Sequence, residues 1–518
     1  MYMTESKRKR PVKMRLKNLL RNSFFSLLSQ FALIIIGFFS QRVVVMTMGE
    51  NLVGMNSVIS NIIAILSVSE LGIASAIAYY LYEALAVRDE ARITSLMNLY
   101  RRAYGLFALV ITATGLCVMP FVHVFLKENR FPIGYVRLIY CLWLARTVLS
   151  YLLSYKRSIL IADQKEYIVS IASTVMNLLN YGMMIVILKV WQHYVLALSL
   201  NIVIEAIINI WINIYVNKKY SFLKKNRQVP VEKSITRRLL GDVRNVFISR
   251  LSSKLLVSTD SLIISGFISV AVVGRYVNYS MIMQSVMNIM LAISDTFQPI
   301  IGNMFTEGNK EKDYQVLRQV TFLFFLMAAF CAAGLMSLTT RFVTDFWLSE
   351  EYRLSTGIVV LCVINFCLFL MSLPTSMMML AGGMFEKERN ISVLYAAANL
   401  ATSLLLVKPM GIAGVLLGTS VSYITQIVCR IYFFFRYYLQ KNSAEYIGDM
   451  VQYGVLITME TIGVFHVVGR IYDGRSFARL ILAILACVIL PSIVNLLLFM
   501  KSWRLRSIVR MVKGFIRL

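Results

Sequence analysis

The sequence predicts an all-α polytopic membrane protein of about fourteen transmembrane helices, set out as two six-helix lobes in a parallel pseudo-twofold repeat with two helices appended after them. Three observations predict this: the composition, the spacing of the apolar runs and an internal repeat. Of 518 residues, 58% are apolar and 15% charged, against about 45–50% and about 25% in soluble domains. The apolar residues gather in runs of roughly twenty, the length that crosses about 30 Å of hydrocarbon at 1.5 Å per residue. A soluble helix would alternate polar and apolar faces instead.

The runs fall near 22–46, 55–81, 103–126, 135–154, 167–189, 194–216, 247–269, 277–301, 319–340, 356–380, 391–409, 412–435, 451–470 and 477–500. An even number of crossings puts both termini on one side. With the termini inside, the inner segments carry about 38 Lys and Arg, ten of them from Lys218 to Arg250, and the outer segments about ten. That asymmetry orients the chain with its termini in the cytoplasm. The basic stretch from Lys7 to Arg21 leads into a run too long for a signal peptide, so it reads as a retained first helix. The stretch Glu232–Val246 reads as an amphipathic surface helix, and Trp503–Leu518 as an interfacial basic one, with plain positive-inside anchoring as the simpler account of both.

The formal net charge of +27 sits in short connections between apolar runs rather than on a basic face interleaved with aromatics, which argues against nucleic acid. The seven cysteines form no C-x-x-C and the three histidines no cluster, so neither a disulfide framework nor a metal site is expected, and no cofactor. No outer loop has room for a catalytic domain, so the chain reads as a transporter rather than an enzyme.

The repeat divides the chain. Leu66-Ser67-Val68-Ser69-Glu70 matches Leu291-Ala292-Ile293-Ser294-Asp295 at an offset of 225. Val53-Gly54 matches Val273-Gly274 at 220, Ser170 and Asn177 match Ser392 and Asn399 at 222, and Val195-Leu196 matches Val415-Leu416 at 220. The near-constant offset gives an N-terminal lobe over 1–216, a cytoplasmic linker over 217–246, a C-terminal lobe over 247–436, and two further helices with a basic tail over 437–518. Parallel repeats of this kind rock one half against the other around a site near the midplane.

Several segments resemble a known family. They are Ser69-Glu70-Leu71-Gly72-Ile73-Ala74-Ser75-Ala76-Ile77 with Leu81-Tyr82; Tyr155-Lys156-Arg157-Ser158 with Ala162-Asp163-Gln164; Ser258-Thr259-Asp260-Ser261-Leu262-Ile263-Ile264-Ser265; and Ile301-Gly302-Asn303. In this order they resemble the polysaccharide transporter branch of the multidrug/oligosaccharidyl-lipid/polysaccharide superfamily, the O-antigen and capsule-repeat flippases. The resemblance implies a bacterial cytoplasmic-membrane protein that moves an undecaprenyl-diphosphate-linked oligosaccharide to the outer leaflet, driven by H⁺ or Na⁺, for O-antigen, capsule or other surface polysaccharide. It also implies a cationic central cavity, and membrane lipids and other polysaccharide-assembly proteins as partners. The phrase Val273-Gly274-Arg275-Tyr276-Val277-Asn278 departs from the family pattern by the added charge of Arg275. A drug/cation antiporter of the same superfamily is the alternative, with an acidic or apolar cavity and twelve helices. A membrane glycosyltransferase or polymerase is a further one, but it would need carboxylates on a sizeable outer loop.

Ionisable residues inside a membrane each cost about 2.5–3.5 kcal/mol on insertion scales and so need a reason. The cations are Arg42, Arg146, Arg250 and Lys254, the last two sharing a helix face. An anionic diphosphate would take an Arg fork and a Lys point charge, which makes these four the substrate-binding candidates. The simpler account is snorkelling, or structural pairs with Glu70, Glu205 or Asp260. The acids Glu70, Asp295 and Asp260 are the ion-coupling candidates, Glu70 and Asp295 because they occupy matched positions of the repeat. Tyr79, Tyr80, Asn177, Gln284, Asn288 and Gln298 could contact a glycan.

The orientation is testable. Single cysteines placed at Asn51, Asn129 and Arg353 should react with an impermeant thiol reagent added outside intact cells, and cysteines at Asp89, Asn226 and Lys387 should not; labelling at Asn226 would invert the topology.

Overall fold

The computed structural model describes residues 12–67, 80–225, 233–305, 308–472 and 477–506, and within these the chain is nearly all helical. The N-terminal lobe comprises α1 (Val12–Leu66), α2 (Glu90–Val118), α3 (Ile133–Ser154), the short α4 (Arg157–Ala162), α5 (Glu166–Val190) and α6 (Tyr194–Lys219). A one-turn α7 (Phe222–Lys225) follows. The C-terminal lobe comprises α8 (Lys233–Phe267), α9 (Val270–Phe305), α10 (Lys310–Arg341), α11 (Thr356–Ala381), α12 (Phe385–Met410) and α13 (Ile412–Phe433). The appended pair is α14 (Ala444–Ile471) and α15 (Phe477–Phe499). The stretch expected as a separate surface helix is instead the start of α8, which runs unbroken into the membrane span. Of the tail, residues 503–506 are helical and the rest lies outside the described residues.

Among the described residues, eleven helical stretches are long and apolar enough to cross a membrane. One of them, Gln30–Leu66, breaks at Gly49 and so supplies two spans; α8 and α9 are long enough but more polar. The break needs a glycine, because Gly49 sits at φ 77°, where a Cβ is disfavoured. Its counterpart in the second lobe, 220 residues on, is the two-residue link between α8 and α9.

The two lobes meet where those links lie, at what is here called the Gly49 face. A Cβ on Gly54 would stand 2.0 Å from the Val270 carbonyl oxygen, and a Cβ on Gly274 2.0 Å from that of Glu50. These two contacts are one contact repeated by the pseudo-twofold axis: each glycine of the matched pair lets the facing backbone in, four residues before its partner. Small residues are what allow such close approach in lipid. Polar contacts frame it. Arg275 holds Glu50 with both nitrogens, Nε at 2.5 Å and a terminal nitrogen at 3.2 Å, which accounts for the departure at Arg275. Gln41 donates to Asn278 at 3.1 Å, Trp347 to the Phe38 carbonyl at 2.8 Å, and Lys127 to the Phe267 carbonyl at 2.9 Å. Phe38 packs edge-on against Phe342 and Trp347.

The appended pair docks on α10. Arg318 donates to Asp449 at 2.9 Å and to Glu445 at 2.5 Å, and Arg504, just after α15, reaches Asp449 at 2.8 Å. Phe325 stacks on Tyr453 above them.

The glycine contact yields a prediction. Gly54→Leu or Gly274→Leu must part the backbones, so a cysteine at Asn61, below the seal, should become reactive to reagent applied from the Gly49 face. Glu50→Arg should weaken the same seal and the swap Glu50→Arg/Arg275→Glu restore it. Unchanged protection in both glycine variants would show that the seal lies elsewhere.

Candidate functional site

Below the seal lies a cavity of about 240 Å³. Its walls are the second arm of α1 (Ser57, Asn61), α8 (Leu256, Val257, Asp260, Ser261), α9 (Tyr276 to Met287), α11 (Cys362, Asn365, Phe366) and α13 (Leu416, Thr419, Tyr423). Helical spacing explains the lining: 257 and 261 on α8, and 276, 280, 283 and 287 on α9, recur at three or four residues and share a face. Among the described residues Asp260 is the one charged side chain in the wall.

Asp260 is buried and accepts from the Thr419 hydroxyl, at 3.2 Å to one carboxyl oxygen and 3.4 Å to the other. Asn399 donates to the same Thr419 oxygen at 3.2 Å, and its own carbonyl accepts from Thr259 at 3.4 Å. One hydroxyl proton shared between two carboxyl oxygens leaves that carboxyl under-satisfied for a buried anion. The arrangement offers clustered oxygen ligands suited to a proton or a small hard cation, although among the described residues no group of three or more His, Cys, Asp or Glu assembles. On the far wall Ser420 donates to Asn365 at 2.7 Å, and Asn365 to the Leu416 carbonyl at 3.0 Å, so these polar groups are tied up within the lobe.

The other sequence candidates fall in different places. Arg250 and Lys254 continue the α8 stripe that includes Val257 and Ser261, away from the Gly49 face; Arg250 is exposed and Lys254 half-buried. No ion-pair partner lies within 4 Å of either among the described residues. On α9, Gln284 lines the cavity, and Asn288 and Asp295 follow it on one stripe, all three exposed. Arg250, Lys254 and Asp295 are therefore not part of the cavity's lining but lie further along the stripes that form it. Arg146 is elsewhere, inside the N-terminal lobe: its Nε holds Glu205 at 2.7 Å and its guanidinium lies over Trp143 at 5.1 Å. Arg42, at the Gly49 face, is exposed and donates to the Phe346 carbonyl at 3.2 Å. Glu70 and Tyr79 lie outside the described residues.

Thr419, Asn365, Ser57 and Asn61 went unread in the sequence. Their signal was isolated small polar residues within apolar runs. A polar ladder on α6 was missed too: Asn201, Glu205, Asn209, Asn213 and Asn217 recur every four residues. Arg157 binds Asn209 at 2.7 Å, Asn213 donates to the Leu153 carbonyl at 2.8 Å, and Lys156 donates to Asn217 at 2.6 Å.

No protein-family model and no curated protein sequence matches the chain. Solved structures do match in fold. A structure titled lipid II flippase MurJ in an inward closed conformation superposes with TM-score 0.68 at 13% identity, over 92% of this chain and 99% of that one. An inward-facing multidrug resistance MATE family transporter of the MOP superfamily gives 0.65 at 14% identity, over 82% of this chain and 100% of that one. An outward-facing structure of such a transporter gives 0.53 at 13% identity, over 80% and 96%.

Removing one partner of a partly buried ion pair strands the other, at about 3–5 kcal/mol for a buried case. Arg146→Ala should therefore lower the melting temperature of the purified protein markedly, and Arg146→Ala/Glu205→Ala should recover much of the loss. If the single variant melts like the wild type, Arg146 has no structural part.

Proposed function

We propose that this protein is an alternating-access flippase for a polyprenyl-diphosphate-linked oligosaccharide, driven by H⁺ or Na⁺. The observation that carries the reading is the α8 stripe: two cations with no carboxylate within 4 Å among the described residues, Arg250 and Lys254, lead straight to the cavity-lining Val257 and Ser261. An anionic diphosphate entering at the mouth would meet them first, and Arg and Lys there replace water that its phosphates must shed. Apart from Asp260, the wall of serine, asparagine, glutamine and tyrosine beyond suits hydroxyl-rich sugars, which need hydrogen bonds and apolar ring faces rather than charge. The fold likeness that reaches 92% of this chain is to a lipid II flippase, which supports a lipid-linked cargo.

With the termini in the cytoplasm, the seal at the Gly49 face and the exposed mouth opposite make this an inward-facing state. The better superposition on an inward-facing than on an outward-facing transporter, 0.65 against 0.53, fits that. Asp260 takes the coupling role: it faces the cavity from the lobe that must move, and its single donor leaves capacity for a proton or Na⁺. Loading it would neutralise the one charge in the wall. Asp295 at the mouth is the second acid, placed to compete with substrate phosphate for Lys254 and Arg250.

The same Asp260 favours a second reading. A lone carboxylate in a polar cavity is what an organic cation would bind, so a drug/cation antiporter follows if the mouth cations take no part.

One experiment separates the two. In cells lacking their own flippase, the wild-type protein should restore surface delivery of lipid-linked repeat units; Lys254→Ala and Arg250→Ala should each lose most of it at normal protein level, and Asp260→Asn should lose its gradient dependence. Cationic dye efflux that survives Lys254→Ala, without any rescue of glycan export, would favour the antiporter.

A further inference from the structure

The appended pair carries an acid that neither the central cavity nor any ion pair uses. Glu460 of α14 is 7% exposed, and Asn495 of α15, which faces it, is 3% exposed. Both lie well inside their helices. Toward one end of α14 the rings of Phe325, Tyr453 and Phe499 pack on one another. Toward the other lies an apolar cluster of Ala333, Val464, Val468, Ala483 and Cys487.

No cation answers this acid among the described residues. α14 and α15 pack on each other and on α10. α10 has no Asp, Glu, Lys, Arg or His between Arg318 and Arg341, and α15 has none between Arg479 and its end. The titratable groups those two stretches do carry are the thiols of Cys331 and Cys487. On α14 the ionisable groups within two turns are Tyr453, which accepts from Arg504, and His466, which is exposed and lies on the Ile462 carbonyl at 2.8 Å.

The hydrogen bonds around Glu460 leave two atoms over. Asn495 Nδ2 donates to Glu460 Oε2 at 3.0 Å and to the Pro491 carbonyl at 2.9 Å. A carbonyl can only accept, so the amide must turn its nitrogen that way. Glu460 Oε1 and Asn495 Oδ1 are then both enclosed, and neither has a hydrogen-bond partner. Buried polar atoms without partners are rare and need an explanation. Here both orphans are acceptors on two groups already joined by one bond. A single proton on Oε1 turns that oxygen into a donor and supplies the Asn495 oxygen with its missing partner. A carboxylate would keep an enclosed charge with one neutral donor, which is the costly arrangement.

We propose that Glu460 and Asn495 form a proton-binding site that ties α14 to α15, with the proton between Glu460 Oε1 and Asn495 Oδ1 and held at neutral pH. The acid and the amide then close a neutral pair through two hydrogen bonds. The site is separate from Asp260 and does not depend on the transport reading.

Infrared difference spectroscopy of the purified full chain in lipid at neutral pH tests it. Glutamine is the near-isostere of the neutral acid, with an N–H where the O–H was, so Glu460→Gln should fold and melt like the wild type. Wild type minus Glu460→Gln should show a protonated-carboxyl C=O stretch; other acids, Asp260 included, cancel in the difference. Asn495→Ala removes the partner amide, so the same band should move to higher frequency and the protein should melt earlier. The difference between wild type and Asn495→Ala also reads the Glu460 carboxyl independently if Glu460→Gln does not fold. Carboxylate stretches in place of the protonated band would mean a charge answered by water or a cation and would overturn the proposal. A protonated band that Asn495→Ala leaves unmoved would overturn the pairing.

Discussion

The lobes are held to one another by backbone touching backbone. Gly54 faces the Val270 carbonyl and Gly274 the Glu50 carbonyl, and no other residue type leaves room for either. In water such a contact would be a detail of packing. In lipid, apolar side chains gain nothing from leaving one hydrocarbon for another, so close van der Waals approach and hydrogen bonds must do the work of association. The cavity lies directly below this contact, walled by helices of both lobes. Its two halves are related by the repeat, so the same duplication that made the lobes also made their hinge contact self-complementary, as in a twofold interface between identical subunits.

The intramembrane charges separate into two groups by partner. Arg146 with Glu205 ties α3 to α6, and Glu388 with Arg430 ties α12 to α13, the latter pair buried and joined through two nitrogens at 2.5 and 3.1 Å. Both join two helices of the same lobe, where removing either partner would leave the other charge stranded. Among the described residues Arg250, Lys254, Asp260 and Asp295 have no such ion-pair partner; Asp260 is in the cavity wall, and the other three lie on α8 and α9 stripes that continue from it. A charge left unanswered in a membrane protein is costly to keep, and buried Glu460 of α14, with Asn495 as its donor, shows that an acid without an ion-pair partner also persists away from the central cavity.

That distinction is where sequence reading stops. Composition and run length suffice for the spans, since the cost of crossing hydrocarbon is a local property of about twenty residues. The repeat was legible because Val53-Gly54 and Val273-Gly274 kept their spacing, and the structure explains why they do. Which cation meets which acid was not legible. Arg146 and Glu205 are 59 positions apart and meet only because α3 and α6 pack, and Arg146 and Lys254 looked alike in sequence although one is answered and the other is not. The α6 ladder could have been found from its four-residue spacing alone. Asp260 stood out as an acid in an apolar run, but its supporting Thr419 and Asn399 come from two other helices and carry no mark of that role.

The seal at the Gly49 face also sets what a coupling event must supply. Among the described residues its ion pair is Glu50 with Arg275, 23% and 42% exposed, and pairs so open to solvent contribute about 0–1 kcal/mol. The glycine contacts contribute close packing without a charge to neutralise, and a few hydrogen bonds at about 0.5–1.5 kcal/mol net each complete the seal. Parting the lobes there therefore costs a few kcal/mol, most of it recoverable if matching contacts form at the opposite end. A population shift from about 1:99 to 99:1 takes about 5.5 kcal/mol of differential binding, which in the proposed transport cycle an ion and a charged head group would supply together. A seal built on buried salt bridges would have been harder to break than that, and one built on water-exposed loops would not have excluded solvent. Backbone contact at paired glycines, rimmed by a single exposed ion pair, meets both limits.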